Sequence, residues 1–156
     1  MTELIQLPEQ RILFVRGKVP TSELPAFQGQ AFQAIWSVLD PAQAIAPAHP
    51  HVRYYLVSAD EMDVEVSVPV TDDATGNETV KIGALPGGTA VTCLHVGSHQ
   101  GLGSAYGALA SAETGDLSPN GPPWEVYEWI AGDKVLSSES WSRPDEWRTL
   151  LVQPLA

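Results

Sequence analysis

The chain alternates short β-patterned runs with two stretches whose apolar positions recur at helical spacing. Over residues 11–19, Ile12, Phe14 and Arg16 alternate with Leu13, Val15 and Gly17, which predicts a first strand. Ser22 is placed to cap a helix whose first turn holds Glu23 and Pro25. Leu24, Phe27, Ala31, Ile35, Trp36 and Leu39 form its apolar stripe, and Asp40-Pro41 ends it. After a Pro/Ala-rich loop, residues 51–57 and 62–70 read as strands. In the second of these Val64, Val66 and Val68 alternate with Asp63, Glu65 and Ser67, so one side is expected to be wet. Residues 72–77 are a polar turn without the ligand spacing of a calcium loop. Residues 79–85 and 89–96 are expected to form a hairpin around Pro86-Gly87-Gly88. A second helix follows over about residues 100–112, with Leu102, Ala105, Tyr106 and Leu109 on one face. Gly101, Gly103 and Gly107 weaken that helix and match neither phosphate-loop fingerprint, so they are expected to permit close packing on the sheet. An aromatic strand and a last strand over residues 148–153 complete the chain.

The order strand, helix, strand, strand therefore occurs twice. Local echoes accompany it: Gly17 and Gly97 each end a first strand, Pro50 precedes Tyr54 as Pro123 precedes Tyr127, and Val68-Pro69-Val70 is mirrored by Gln153-Pro154-Leu155. The fold class that follows is α+β, with duplicated β-α-β-β modules whose antiparallel sheets join, curve and leave a cleft between the two halves. The pseudo-repeats cover about residues 10–70 and 79–156 of one domain spanning 1–156, with the 79–96 hairpin as their connection.

The chemistry concentrates in Pro122-Pro123-Trp124-Glu125-Val126-Tyr127-Glu128-Trp129. Strand alternation puts Glu125, Tyr127 and Trp129 on one face and Trp124, Val126 and Glu128 on the other. A poorly solvated carboxylate boxed by aromatic rings is a seat for an organic cation, each cation–π contact adding roughly 0.5 to 2 kcal/mol. The competing reading is an acid at a sheet edge facing water.

Composition narrows the field. Of 156 residues, 44% are hydrophobic and 17% charged, enough apolar surface for a packed core. A formal charge of -11 opposes binding to phosphate backbones and anionic bilayers, so neither nucleic acid nor membrane is an expected partner. Cys93 is the single cysteine and reads as a small core residue. No basic leader or long apolar run is present, so the expected location is the cytoplasm. His95 and His99 lie on different expected elements, and His49 and His51 flank a proline with no carboxylate spacing in common. No metal site or cofactor is expected.

The run Leu85-Pro86-Gly87-Gly88-Thr89-Ala90-Val91, then His95-Val96-Gly97, Leu102, Ala105-Tyr106, Leu109, Gly121 to Tyr127, Arg148-Thr149-Leu150 and Pro154-Leu155 resembles the GyrI-like small-molecule-binding domain. That domain is the effector-binding module of many AraC- and MerR-type regulators and also occurs alone. The resemblance implies the duplicated fold just read, with the acid of a Glu-x-Tyr motif, here Glu125 and Tyr127, facing a cleft that meets cationic aromatic ligands. After Gly97 the family usually has a proline or small residue and then an aromatic, where this chain has Ser98-His99. The 131–147 loop, which contains Trp141, lengthens the second repeat and either folds over the cleft as a lid or caps the sheet edge. With all 156 residues in this domain, a role in transcription would run through a partner chain.

Three functions follow. The first is binding, for sensing or sequestration, of a hydrophobic, cationic or aromatic small molecule by Glu125, Tyr127 and Trp129, with Trp36, Tyr54, Tyr106 and His99 as further wall residues. The second, implied by the family's stand-alone relatives, is a cofactor-independent hydrolase of strained-ring toxins with Glu125 and Tyr127 as its catalytic residues. The third is an interaction module for a protein partner, as in the gyrase-inhibiting relatives.

Overall fold

The computed structural model describes residues 1–156. Its strands are β1 Thr2–Leu7, β2 Gln10–Pro20, β3 His51–Val57, β4 Glu61–Pro69, β5 Lys81–Leu85, β6 Gly88–Val96, β7 Trp124–Tyr127 and β8 Arg148–Pro154; its helices are α1 Leu24–Val38 and α2 Leu102–Ala110. The strands form one antiparallel sheet in the order β1-β6-β8-β7-β3-β4-β2-β5. The duplication is explicit in that order: β2-α1-β3-β4 and β6-α2-β7-β8 are the two modules, joined at the sheet centre by the β3–β7 pair. No helix is long and apolar enough to cross a membrane.

The sequence echoes have physical counterparts. Tyr54 donates its backbone N–H to the Pro123 carbonyl at 3.2 Å, and Tyr127 donates to the Pro50 carbonyl at 3.0 Å, two reciprocal bonds across the central pair. Pro69 and Pro154 end β4 and β8, and the following Val70 and Leu155 N–H groups bond to the Arg11 and Thr89 carbonyls of the first strands. The glycine echo has two different causes. Gly97 follows β6 with φ at 128°, where a side chain is strained. Gly17 lies inside β2, and a Cβ there would sit 2.9 Å from the Phe27 ring of α1.

Residues 79–96 do not form a hairpin. β5 pairs with β2, and β6 pairs with β1 and β8. Thr2 faces Cys93, Leu7 faces Gly88, Gln10 faces Leu85 and Phe14 faces Lys81, so one register runs through β1 and β2 on one side and β5 and β6 on the other. These segments make a long two-stranded ribbon that bridges the outer edges of both modules, with Gly87 packed against the backbone of Leu7 to Glu9. The β1 strand carries only Leu4 and Ile5 as large apolar residues beside Leu7, too sparse a signal to read from pattern.

Three other expectations need correction. Both faces of β4 are buried: Arg53 of β3 donates to Glu65 at 2.9 Å, Arg16 of β2 makes two bonds to Asp63 at 3.0 and 2.9 Å, and these pairings let the acids leave water. Ser22 makes no cap bond, because a 3-10 turn over Thr21–Glu23 leads into α1. Gly103 and Gly107 face open space, and only Gly101, beside the His95 ring, packs closely.

Apolar side chains collect in three places. Leu13, Val52, Val64, Val66 and Val68 lie under Ala31, Phe32 and Ile35 of α1, and Val91, Cys93 and Leu151 lie under Ala105 and Leu109 of α2. The third group, Ile12, Leu85, Ala90, Trp124, Val126 and Val152, occupies the opposite face of the sheet. Each helix thus covers its own module, and the strip of sheet between them is where β3 meets β7.

Candidate ligand-binding site

Glu125 sits on that strip, paired across the ladder with Val52 of β3 and Leu151 of β8. It is 4% exposed and has no cationic partner. Tyr106 of α2 donates its hydroxyl to Oε2 at 2.6 Å, and Tyr127, two residues along β7, donates to Oε1 at 3.0 Å. Each module therefore sends a tyrosine from its central strand, Tyr54 and Tyr127, to the neighbourhood of a single carboxylate. Burial pushes the Glu125 carboxyl above its ordinary range, against the opposing pull of the Tyr106, Tyr127 and Tyr54 hydroxyls. The three phenols are raised as well, first by burial and then by the Glu125 charge, so they remain hydroxyl donors. Glu65 provides the contrast: it is as deeply buried, yet Arg53 neutralises it. Glu125 has hydroxyls where Glu65 has a guanidinium.

Two cavities flank this cluster. One, of about 320 Å³, is lined by Tyr54, Val57, Met62, Tyr106, Pro123 and Glu125 itself. The other, of about 260 Å³, has His99, Tyr127, Trp129, Trp141 and Trp147 on one side and Gln28 and Phe32 of α1 on the other. Its aromatic wall is continuous: Tyr127 stacks on Trp129 at 4.8 Å, Trp129 stacks on Trp147 at 4.5 Å, and the His99 ring lies 5.2 to 5.3 Å from all three. Burial lowers the His99 pKa, with His95 adding to the effect, and His99 Nε2 lies 3.3 Å from the Thr149 hydroxyl.

The structure brings six of the seven residues singled out from sequence, Glu125, Tyr127, Trp129, Tyr54, Tyr106 and His99, to these cavities. Trp36 lines neither; it packs half-buried against the core beneath α1. Trp129 arrives by a different route from the one expected, since β7 stops at Tyr127 and a turn carries Trp129 back over it. Trp147, Gln28 and Phe32 are wall residues that the sequence did not single out, and Trp141 comes with the 131–147 loop, expected either over the cleft or at the sheet edge. The 131–147 loop supplies Val135, Trp141 and Trp147 to the second cavity, and its 3-10 turn Gly132–Leu136 packs beside α1. The concentration of tryptophan around this loop was the available signal. No group of three His, Cys, Asp or Glu side chains is placed to hold a metal ion.

A buried carboxylate with no cationic partner thus lies between two aromatic-walled hollows. The model of the GyrI-like small molecule binding domain matches residues 1–131, and the chain belongs to that family. Among solved structures it is similar to the EcmrR C-terminal domain, with a TM-score of 0.80 and 24% identity over 100% of this chain and 97% of that one. It is also similar to SAV2435 bound to tetraphenylphosphonium, with a TM-score of 0.64 and 11% identity over 100% and 94% of the two chains. A hydrolase encoded by lin2189 from Listeria innocua aligns with a TM-score of 0.65 and 15% identity over 99% and 91%. At these identities the likenesses establish a shared fold. No curated protein matches the chain.

Proposed function

We propose that the chain binds hydrophobic, cationic aromatic small molecules at Glu125, for sensing or sequestration. One observation carries the reading: a carboxylate withdrawn from water whose partners are tyrosine hydroxyls rather than a basic side chain. A bound cation supplies the missing charge, and the rings of Tyr54, Tyr106 and Tyr127 offer faces to its apolar body. Tetraphenylphosphonium, the ligand of the structurally similar SAV2435, is the natural probe, with neutral triphenylphosphine oxide as its comparison. Calorimetric titration should give measurable affinity for the phosphonium and much weaker affinity for the oxide. Equal affinity for both would remove the charge argument.

A second reading is favoured by the raised Glu125 pKa. A carboxyl that keeps its proton to higher pH beside the Tyr127 hydroxyl has the chemistry of a general acid, and after ionisation of a base toward water, without a cofactor. The Listeria innocua neighbour described as a hydrolase adds to this reading. Incubation with strained-ring electrophiles at high protein concentration, followed by mass analysis, separates the two. A hydrated product that is lost in Glu125→Gln supports turnover, and unchanged compound leaves binding.

A further inference from the structure

The alternation that turns Glu125 toward the helices turns Trp124 and Val126 the other way. On that opposite face a hollow of about 700 Å³ opens where the β1–β2 link passes over the sheet. Trp124 and Val126 of β7 and Leu150 and Val152 of β8 form its floor, and the loop from Ile45 to His49 forms one side. Its volume falls within the ~300–1,000 Å³ typical of small-molecule pockets. It shares no lining residue with either cavity beside Glu125.

Two imidazoles fix its polarity. His49 Nδ1 is 2.6 Å from the Ile130 carbonyl, and His51 Nδ1 is 2.9 Å from the His49 carbonyl. A carbonyl can only accept, so both Nδ1 atoms donate, and in the neutral His51 ring Nε2 is left as an acceptor with no protein donor. His51 is 7% exposed, and its burial lowers its pKa to about 4, so the ring is neutral at physiological pH. The side of the hollow is also strained: Ala48, buried beside His49, holds φ at 55°, which a residue with a Cβ rarely adopts. The charged wall residues do not answer that acceptor. Glu9 and Asp72 are exposed, and Arg11 donates to the Ala74 carbonyl.

We infer that this hollow is a second binding site, for a neutral, largely apolar molecule that presents a hydroxyl or N–H donor to His51 Nε2. A carboxylate ligand would meet the His51 lone pair, and a hydrocarbon would displace water from that acceptor without replacing its hydrogen bond. The floor of Trp124, Val126, Leu150 and Val152 supplies the apolar contact.

The test uses 2-naphthol and its methyl ether, 2-methoxynaphthalene, which share the naphthalene body, the ether carrying a methyl in place of the donor hydrogen. Titration of the full chain should show 2-naphthol binding roughly five- to tenfold more tightly than the ether, as one neutral hydrogen bond provides. The difference should disappear in His51→Leu, and it should persist in Glu125→Gln and in the presence of saturating tetraphenylphosphonium. If His51→Leu does not fold, Leu150→Trp, at a half-buried floor position, should abolish binding of both compounds. Equal affinity for the two probes, competition with the phosphonium, loss in Glu125→Gln, or binding retained in Leu150→Trp would each overturn the assignment. Because the neutral probe is scored against Glu125→Gln, failure here leaves the cation site standing, and failure of the cation site leaves this one testable.

Discussion

Replacing Glu125 with Gln keeps the side-chain volume and removes the charge. A ligand cation seated about 5 Å from the carboxylate gains roughly 3 kcal/mol of Coulomb energy at an effective dielectric of about 20, which corresponds to a hundredfold or so in Kd. A neutral ligand of equal size loses no Coulomb energy. The Gln amide can still meet the Tyr106 and Tyr127 oxygens, so the walls should hold their positions. Stability should move the other way. The carboxylate is destabilised in the ligand-free protein because burial outweighs its hydroxyl bonds, which is the meaning of its raised pKa. The Gln variant should therefore be more stable than the parent and melt at a higher Tm, a stability–function exchange typical of binding sites. Calorimetric titration of tetraphenylphosphonium and triphenylphosphine oxide, paired with thermal unfolding without ligand, measures both effects. Equal affinity losses for the two ligands, or a lower Tm with cation affinity intact, would refute the reasoning.

Cation affinity should fall as pH drops through the raised Glu125 pKa of the free protein, because the cation must then displace a proton, whereas neutral ligands should show no such midpoint; titrations from neutral pH down through the ordinary carboxylate range test this. Tyr106→Phe removes the 2.6 Å bond to the ionised carboxylate, so that midpoint should move upward in the same titration. Trp147→Ala removes the stacking partner of Trp129 and should weaken aromatic ligands of either charge by about 1 kcal/mol with the pH midpoint unmoved. His51 has its pKa lowered from 6.5 to about 4, so the stability it contributes is complete above the unfolded value and is lost as pH falls toward the folded one. Urea unfolding should report a loss of roughly 3 kcal/mol between about pH 7 and pH 4 from this group, and His51→Gln should flatten that slope.

The parts of the fold and site that were legible in the sequence are those set by local pattern. Alternation around Glu125 and the Pro50/Tyr54 and Pro123/Tyr127 echo carried the central strands, and helical spacing placed Tyr106 above them. What escaped depends on distant pairing. The split of residues 79–96 between the two edges of the sheet follows from a ribbon register with residues 2–14, and nothing near Pro86 specifies it. The burial of Asp63 and Glu65 follows from arginines on neighbouring strands. Trp36 and Trp147 show the limit from both sides. The helical stripe that contains Trp36 cannot say whether its edge faces cleft or core, and Trp147 reaches Trp129 only because β7 and β8 pair.

The duplication also explains why a lone carboxylate is tolerated at the centre of the sheet. The central β3–β7 pair makes Val52 and Glu125 direct partners, at matching places in the two Pro-to-Tyr spacings. Val52 has the apolar character of a buried central strand, and the matching position of the second module carries charge. The reciprocal bonds from Tyr54 to Pro123 and from Tyr127 to Pro50 tie the backbones on either side of this pair, so the charge rests on a ladder held from both modules. A strand at a sheet edge could fray to hydrate a buried acid. Here β3 and β8 pair with β7 on both sides, so the strand does not fray and Glu125 meets solvent only through the cavity that it lines. By this argument Val52→Thr, which brings a hydroxyl beside the carboxylate without moving the ladder, should lower the Glu125 pKa and move the pH midpoint of cation binding downward. A titration in which that midpoint is unchanged would show that the tyrosines alone set the charge.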